Sequence, residues 1–428
     1  MPEATVGYYR ATATAYAPFA PLQGRHDARV VIVGGGYAGL NTALGLAERG
    51  VRDVVLLERE RIGHGASGRN GGFAFAGYSL GEEALVAKLG RIAARELFQH
   101  TVRAVELIRR RIAEYAITCD VVDHGVIWAN WFRDPEILSA RRRFLAEQFG
   151  VEWEWLPKAY LRELVRSPRY SDGLLERNAL HMHPLNYAIG LAQAAAGRGV
   201  RIHETSGVRA LARDGAGWRV ATADGEVHAE QVVLACGGYL AGLERKVDRA
   251  VLPIATYVMA TEPLGERLRE CLTTSAAIYD TRFAFDYYRP LKDTRLLWGG
   301  RISILDRSPA QVRRLLTRDL LKVFPQLAGV KIDYAWSGLM SYARHKMPQI
   351  GTAGDGLWWA QAFGGHGVAP TTAAGELLAA AIAEGDPAWR AFGTFGLTAA
   401  FRPAGFLAAQ ASYWWAELRD LLREVLEG

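Results

Sequence analysis

Val30-Val31-Ile32-Val33-Gly34-Gly35-Gly36-Tyr37-Ala38-Gly39-Leu40 reads as the end of a strand, a glycine turn and the start of a helix. Four β-branched residues in a row fit a strand covered on both faces. The glycines fall at GxGxxG spacing. Gly34 allows a tight turn, Gly36 lets the backbone approach a pyrophosphate, and Gly39 lets the helix pack on the strand. The positive end of the helix dipole faces the same place. A glycine-rich turn without function has the same letters, so the motif needs support. It comes from residues 53–58 (DVVLLE), a second buried strand that closes on Glu58, 19 residues after Gly39. There a carboxylate accepts hydrogen bonds from ribose hydroxyls. Strand, helix and strand together predict a dinucleotide-binding βαβ unit.

Residues 65–72 (GASGRNGG) follow that unit with four glycines and the polar side chains of Ser67, Arg69 and Asn70. Such a loop wraps a pyrophosphate and runs beneath a flavin, a need that a simple NAD dehydrogenase of this fold does not have. At the far end, residues 357–363 form another apolar strand leading through Gly364-Gly365-His366-Gly367 into an apolar helix that reaches about residue 384. The positive end of that helix's dipole would fall at these glycines.

Composition bounds the rest. A chain of 428 residues, half of them apolar, has ample length for a large core and for two or three domains. The 46 glycines and 12 tryptophans suit an α/β enzyme with tight turns and an aromatic pocket. The net charge of +6 is scattered, and the triplets Arg109–Arg111 and Arg141–Arg143 read as solvated helix faces, so no nucleic-acid partner is expected. Cys119, Cys236 and Cys271 lie far apart and show neither disulfide nor zinc spacing. His181 and His183 have no carboxylate nearby and read as structural hydrogen-bonding groups, and no metal is expected. No run approaches the ~18 apolar residues of a membrane span, and no leader sequence stands out. A cytoplasmic protein is expected.

Along the chain, residues 1–28 read as an irregular, aromatic arm. A helix is expected from a capping-box pair at Ser79 and Glu82 to about residue 114. Another starts at Pro184, with short strands following at 201–203, 208–213, 218–222 and 232–235. From 251 to 300 the pattern alternates and is aromatic, which predicts antiparallel sheet carrying Phe283, Phe285 and Tyr287 on one face. A helix over 309–324 and a last one carrying Tyr413, Trp414 and Trp415 complete the reading.

The sequence resembles the D-amino-acid oxidase-like superfamily of FAD-dependent amine oxidases, and within it the gamma-glutamylputrescine oxidases. The resemblance runs almost end to end, through residues 30–40, 61–72, 181–190, 286–290, 324–338, 346–351 and 364–368. It implies an α/β fold: a Rossmann-type FAD-binding domain assembled from residues 29–110, 175–250 and 331–390, and a smaller domain of mixed and antiparallel sheet from 111–174 and 251–330 for substrate. The arm (1–28) and a C-terminal helix (391–428) flank them. The resemblance makes Gly34, Gly36, Gly39, Glu58, Arg59, Ser67, Arg69, Asn70 and Gly71 the expected FAD contacts. Val208 would meet the adenine through its backbone, and Ala235, Gly237 and Gly238 would form a second contacting turn. Gly364, Gly365, His366 and Gly367 would face the flavin. Relatives that link FAD through a cysteine carry it just before the proline matching Pro348. Residues 341–347 contain none, so FAD is expected to be held non-covalently, with His64 the residual candidate for a link.

The chemistry implied is hydride transfer from an amine to the flavin, imine hydrolysis, and reoxidation by O2 or by another acceptor. Tyr287, three residues before Pro290, resembles the family's substrate-contacting tyrosine. Arg289, Arg301 and His366 complete the expected catalytic group, the arginines as forks for a carboxylate. No arginine stands at 339–342, where relatives acting on simple amino acids hold the α-carboxylate. An amine is therefore the expected substrate. Two other readings stand beside it: a dehydrogenase passing electrons to a quinone or carrier, and a flavin-binding protein without turnover.

Overall fold

A computed structural model describes residues 7–427. Its frame is two eight-stranded sheets and a two-stranded ribbon that pairs Phe73–Ala74 with Leu180–His181. In the first sheet the strand Gly24–Val33 runs parallel to Val54–Leu57 on one side and to Gly225–Leu234 on the other, with Val30 opposite Val54 and Gly24 opposite Gly225. Arg201–His203 extends it at one edge, and Leu357–Gln361 then Gln349–Thr352 at the other. Val30, Val31 and Ile32 are fully buried, as a parallel strand covered on both faces requires. The helix Tyr37–Glu48 packs between Pro184–Gly197 and Val368–Glu384 on one face.

The second sheet runs in the order Ile332–Tyr342, Leu252–Thr261, Leu296–Ser303, Tyr287–Pro290, Ala277–Asp280, Val126–Ala129, Gly173–Glu176 and Glu154–Leu156. It is antiparallel except where Ala277–Asp280 meets Val126–Ala129. The helix Pro309–Val323 covers its outer face and begins at a capping box made by Ser308 and Gln311. Tyr288 and Trp298 stack beneath it with ring centres 4.6 Å apart.

Several expectations are corrected. The arm is not irregular throughout: Tyr8–Ala11 is a helical turn burying Tyr8 and Tyr9, and the central strand already begins at Gly24, because the long strand Gly225–Leu234 offers it partners. The helix expected from Ser79 is two helices, Glu82–Leu89 and Arg91–Glu114, separated by Gly90 at φ 78°. Ser79 does not cap; its hydroxyl donates to the Phe363 carbonyl at 3.2 Å. Ile332–Tyr342 is hydrogen-bonded into the second sheet, although residues 331–390 were expected with the FAD-binding segments, and the strand Gly173–Glu176 carries Leu175 and Glu176 there too, past the expected boundary at 174. The last helix starts only at Ala404.

Phe283 and Phe285 are not on a strand. Arg282 sits between Asp280 and Asp286, 2.7 and 2.5 Å away, and this pairing folds residues 281–286 into a loop, so the strand begins at Tyr287. Nor are both arginine triplets solvated. Arg111 is fully buried, bonded to Glu48 at 2.5 Å and to Asn41 at 2.6 Å. Arg141 is largely enclosed and pairs with Glu82 at 2.5 Å.

Candidate active site

Between the two sheets lies a cavity of about 1650 Å³. That exceeds the ~300–1,000 Å³ of an ordinary small-molecule site and leaves room for a dinucleotide and a second molecule. Its floor is the glycine turn. Gly34 has φ 115°, and a Cβ there would lie 2.7 Å from the Ala235 carbonyl oxygen, so the turn demands glycine. Gly36 caps the helix Tyr37–Glu48, and a Cβ on it would fill the gap to the Ser67 hydroxyl at 3.0 Å. Gly39 is not on the cavity wall: its Cβ would sit 2.0 Å from the Gly34 carbonyl oxygen, which makes it the packing glycine.

Glu58 closes its strand at the cavity edge and accepts from the backbone N–H of Gly35 at 2.7 Å and of Glu60 at 2.8 Å. Burial pushes its carboxyl above the usual range, against the pull of those two donors. Arg59 and Val208 line the cavity beyond it. The loop 65–72 is self-organised. The Ser67 hydroxyl accepts from Tyr37 N–H at 2.9 Å, Asn70 donates to the Ala66 and Ser67 carbonyls, and the Gly72 N–H donates to Asn70 at 2.7 Å. Arg69 donates to the His64 carbonyl at 2.8 Å. Ala235, Gly237 and Gly238 form the opposite lip, with Gly237 at φ 53°.

Gly364, Gly365, His366 and Gly367 lie on the wall ahead of the helix Val368–Glu384. A Cβ on Gly364 would lie 2.3 Å from the Ser79 hydroxyl, and one on Gly365 2.8 Å from that of Tyr342. The His366 ring packs 4.1 Å from that of Phe75, and its Nε2 lies 3.0 Å from the Phe75 carbonyl oxygen, so Nε2 carries the proton. Burial lowers its pKa, which keeps the ring neutral.

The expected catalytic residues separate. Tyr287 faces the cavity, packed between Gly71 and Gly299, with Phe73 edge-on at 5.5 Å. Arg289 does not: it is 3 % exposed, and its guanidinium donates to the Gly71 carbonyl at 2.7 Å, the Met182 carbonyl at 2.8 Å and Tyr9 Oη at 3.2 Å. It is an internal clamp, because three acceptors converge on it. Arg301 reaches the cavity wall, but Asp319 holds it in a two-bond fork at 2.6 and 2.9 Å and Glu417 stands at 3.5 Å. Its charge is already answered, so neither arginine is a free carboxylate fork.

His181 and His183 are hydrogen-bonding groups. His181 Nε2 donates to the Ser275 carbonyl at 2.8 Å, and His183 Nδ1 accepts from Asn186 N–H at the start of the helix Pro184–Gly197. Among the described residues no cluster of three His, Cys, Asp or Glu side chains is placed to hold a metal ion.

The sequence reading missed an aromatic wall. Phe75 stacks on Tyr279 at 5.5 Å and Tyr279 on Trp128 at 6.3 Å. Tyr279 and Trp128 are register partners in the one parallel pair of the second sheet, a neighbourhood that no local pattern announces. Beside them Arg141, bonded to Glu82, lies over the Trp128 and Trp153 rings at 6.0 and 5.7 Å. Cys236, also unforeseen, lines the cavity; burial pushes its thiol up to about 12.

The sequence and the fold have counterparts. The model of the FAD dependent oxidoreductase (DAO) family matches residues 29–381. Gamma-glutamylputrescine oxidoreductase from Escherichia coli (strain K12) is 39% identical over 381 residues, 89% of this chain and 89% of the relative. Sarcosine oxidase subunit beta from Rhizobium meliloti (strain 1021) is 27% identical over 84% of this chain and 85% of its own. Among solved structures, glycine oxidase from Geobacillus kaustophilus superposes with a TM-score of 0.72 at 22% identity, over 87% of this chain and 99% of that one. L-proline dehydrogenase from P. horikoshii gives 0.72 at 19% identity, over 87% and 100%. The glycine turn, the loop 65–72 and the wall at 364–367 all fall inside the matched stretch and leave the cradle an FAD needs, so the chain belongs to the DAO family of FAD-dependent oxidoreductases.

Proposed function

We propose that this protein oxidises the C–N bond of an extended amine of the gamma-glutamylputrescine type, with FAD held non-covalently and O2 as the terminal acceptor. The observation that carries the amine reading is the commitment of both strand arginines, Arg289 to three internal acceptors and Arg301 to Asp319. Beside Tyr287 the cavity wall is aromatic, with Phe73, Phe75 and Tyr279, while the cations Arg344 and Lys346 line the cavity at exposed positions. An α-carboxylate buried unpaired there would cost several kcal/mol, whereas an alkyl amine meets no such penalty. The name of the 39% identical relative points the same way.

The residues that would hold the cofactor are Gly34 and Gly36 at the pyrophosphate, Glu58 at the ribose, Arg59 and Val208 toward the adenine, and the two turns at 235–238 and 364–367. Bound FAD would supply the two-electron acceptor for the hydride leaving the α-carbon, with the electrons returned to O2 as hydrogen peroxide. Tyr287 and the aromatic wall orient the alkyl chain and exclude water. His366, neutral and anchored through Nε2, adds no positive charge to oppose the amine. The substrate reacts as the neutral amine, so no side chain is needed as a base, and the released imine takes up water to give an aldehyde and ammonia. The protein works in the cytoplasm, a reading supported by its three unpaired thiols. Among the described residues no helix is long and apolar enough to cross a membrane.

Anaerobic mixing with amines, gamma-glutamyl conjugates and amino acids tests the substrate class through loss of flavin colour. Conjugated or alkyl amines are expected to bleach it and air to restore it. Preference for D-alanine or D-proline over every amine by a hundredfold would reject the reading, and colour that failed to return in air would point to a carrier instead of O2.

A further inference from the structure

The helix Ala404–Glu427 lies on the body by its polar side. Gln410 accepts from Ser303 Oγ and Ile304 N–H at 3.1 Å, Tyr413 Oη accepts from Ile302 N–H at 3.1 Å, and Asp420 accepts from Phe283 N–H at 2.7 Å. Glu424 pairs with Arg169 at 2.8 Å, and Arg423 with Asp134 at 2.7 Å. Along its length only Gln410, Tyr413 and Ala416 are buried. A surface helix ordinarily buries its apolar stripe and shows its charges to water; this one does the reverse.

The outward stripe is Leu407, Ala411, Trp414, Leu418, Leu421 and Val425, spaced 4, 3, 4, 3 and 4. Its large members are 45% to 69% exposed. Trp415, Leu422 and Leu426 widen it. Together they leave on the order of 1,000 Å² of apolar surface in water, more than the ~300–600 Å² patch of an ordinary monomer and enough for the ~800 Å² that each partner brings to a stable interface.

We infer that this face pairs with the same face of a second copy of the chain, antiparallel, about a two-fold axis level with Ala416. Alternate steps of four and three are the period of a helix–helix seam. The run also reads the same in both directions, which is what an isologous contact requires. About that axis Leu407 of one copy meets Val425 of the other, Ala411 meets Leu421, and Trp414 meets Leu418, so every contact is apolar and the small Ala411 leaves room for Leu421. The charge on the helix argues against a bilayer as the occupant: it carries Glu417, Asp420, Glu424 and Glu427 against Arg419 and Arg423, whereas helices that lie on anionic lipid carry basic polar faces. Ala404, Ala408 and Tyr413 on the same helix line the cavity, so the pairing also fixes part of the active-site roof.

Sedimentation of the FAD-loaded protein at micromolar concentration is expected to give twice the 47.0 kDa chain mass. Trp414→Glu combined with Leu421→Glu is expected to give single chains with unchanged flavin per chain, a readout that separates loss of pairing from loss of fold. Ala411→Cys with Leu421→Cys is expected to cross-link two copies under mild oxidation, while Ala411→Cys alone is not. Wild-type protein that sediments as single chains would overturn the inference, as would cross-linking by Ala411→Cys alone. Wild-type protein that floats with phosphatidylglycerol vesicles would overturn it in favour of a lipid surface.

Discussion

Gly71 and Tyr287 meet with no space for a side chain between them: a Cβ on Gly71 would lie 2.5 Å from Cε2 of the tyrosine ring. Two residues along the same strand, Arg289 holds the Gly71 carbonyl at 2.7 Å. One strand of the second sheet thus grips the loop 65–72 twice. Gly71→Ala is expected to drive the ring aside and to lower both flavin content and turnover, whereas Tyr287→Phe, which keeps the ring, leaves flavin content intact. The ratio of flavin to protein absorbance checks this; a fully yellow Gly71→Ala enzyme with unchanged turnover would refute it.

Glu58→Ala removes an acceptor that serves the glycine turn and would serve a ribose hydroxyl. A hydrogen bond to a charged acceptor is worth ~1.5–3 kcal/mol, so the dissociation constant for FAD is expected to rise about ten- to a hundredfold. Titrating the apoprotein with FAD measures it. Glu58→Gln, which keeps one acceptor oxygen, should fall between.

Arg289→Met is expected to act on stability. It strands the Gly71 and Met182 carbonyls in a buried place, at a cost of about 2–4 kcal/mol, read as a lowered urea midpoint. If the midpoint held and only the preference between amines and amino acids moved, the clamp assignment would be wrong.

Stability should respond to pH through groups of opposite sign. Burial raises the Glu176 carboxyl to about 8, and its Oε2 has no hydrogen-bond partner. The folded chain keeps that proton while the unfolded chain sheds it near 4.5, so the contribution is complete below 4.5 and is lost as pH rises through 8. Burial lowers His181 to about 3 and His183 to about 4. Their contribution is complete above 6.5 and is lost as pH falls through 4 and 3. Glu176→Gln is therefore expected to stabilise the protein at pH 8 by about 2–4 kcal/mol and to make little difference near pH 4.5. Urea denaturation at both pH values tests this; equal effects at the two would contradict it.

The glycine turn, Glu58 and the loop 65–72 were legible in the sequence because each is a local device, a spacing or a composition that one stretch of chain satisfies alone. The aromatic stretch was misread because Phe283, Phe285 and Tyr287 alternate as a strand would. Only the closure of Asp280 and Asp286 around Arg282 shows that the chain turns first. Arg289 and Arg301 were recognisable as forks, but what they grip, Gly71 and Asp319, is decided by folding over distance. Trp128 and Tyr279 become neighbours in the same way, through pairing of segments some 150 residues apart.

The central strand Gly24–Val33 finds its second neighbour in Gly225–Leu234, about 200 residues downstream. On a ribosome adding ~5–20 residues each second, that neighbour arrives about 10–40 s after the strand itself has been made. Throughout that interval a β-branched edge meant for the middle of a sheet stands open to any extended segment, its own or another chain's. Slow synthesis or scarce chaperones should therefore harm this protein's yield well before they affect the folded enzyme, and truncations that end before residue 225 should collect in the insoluble fraction.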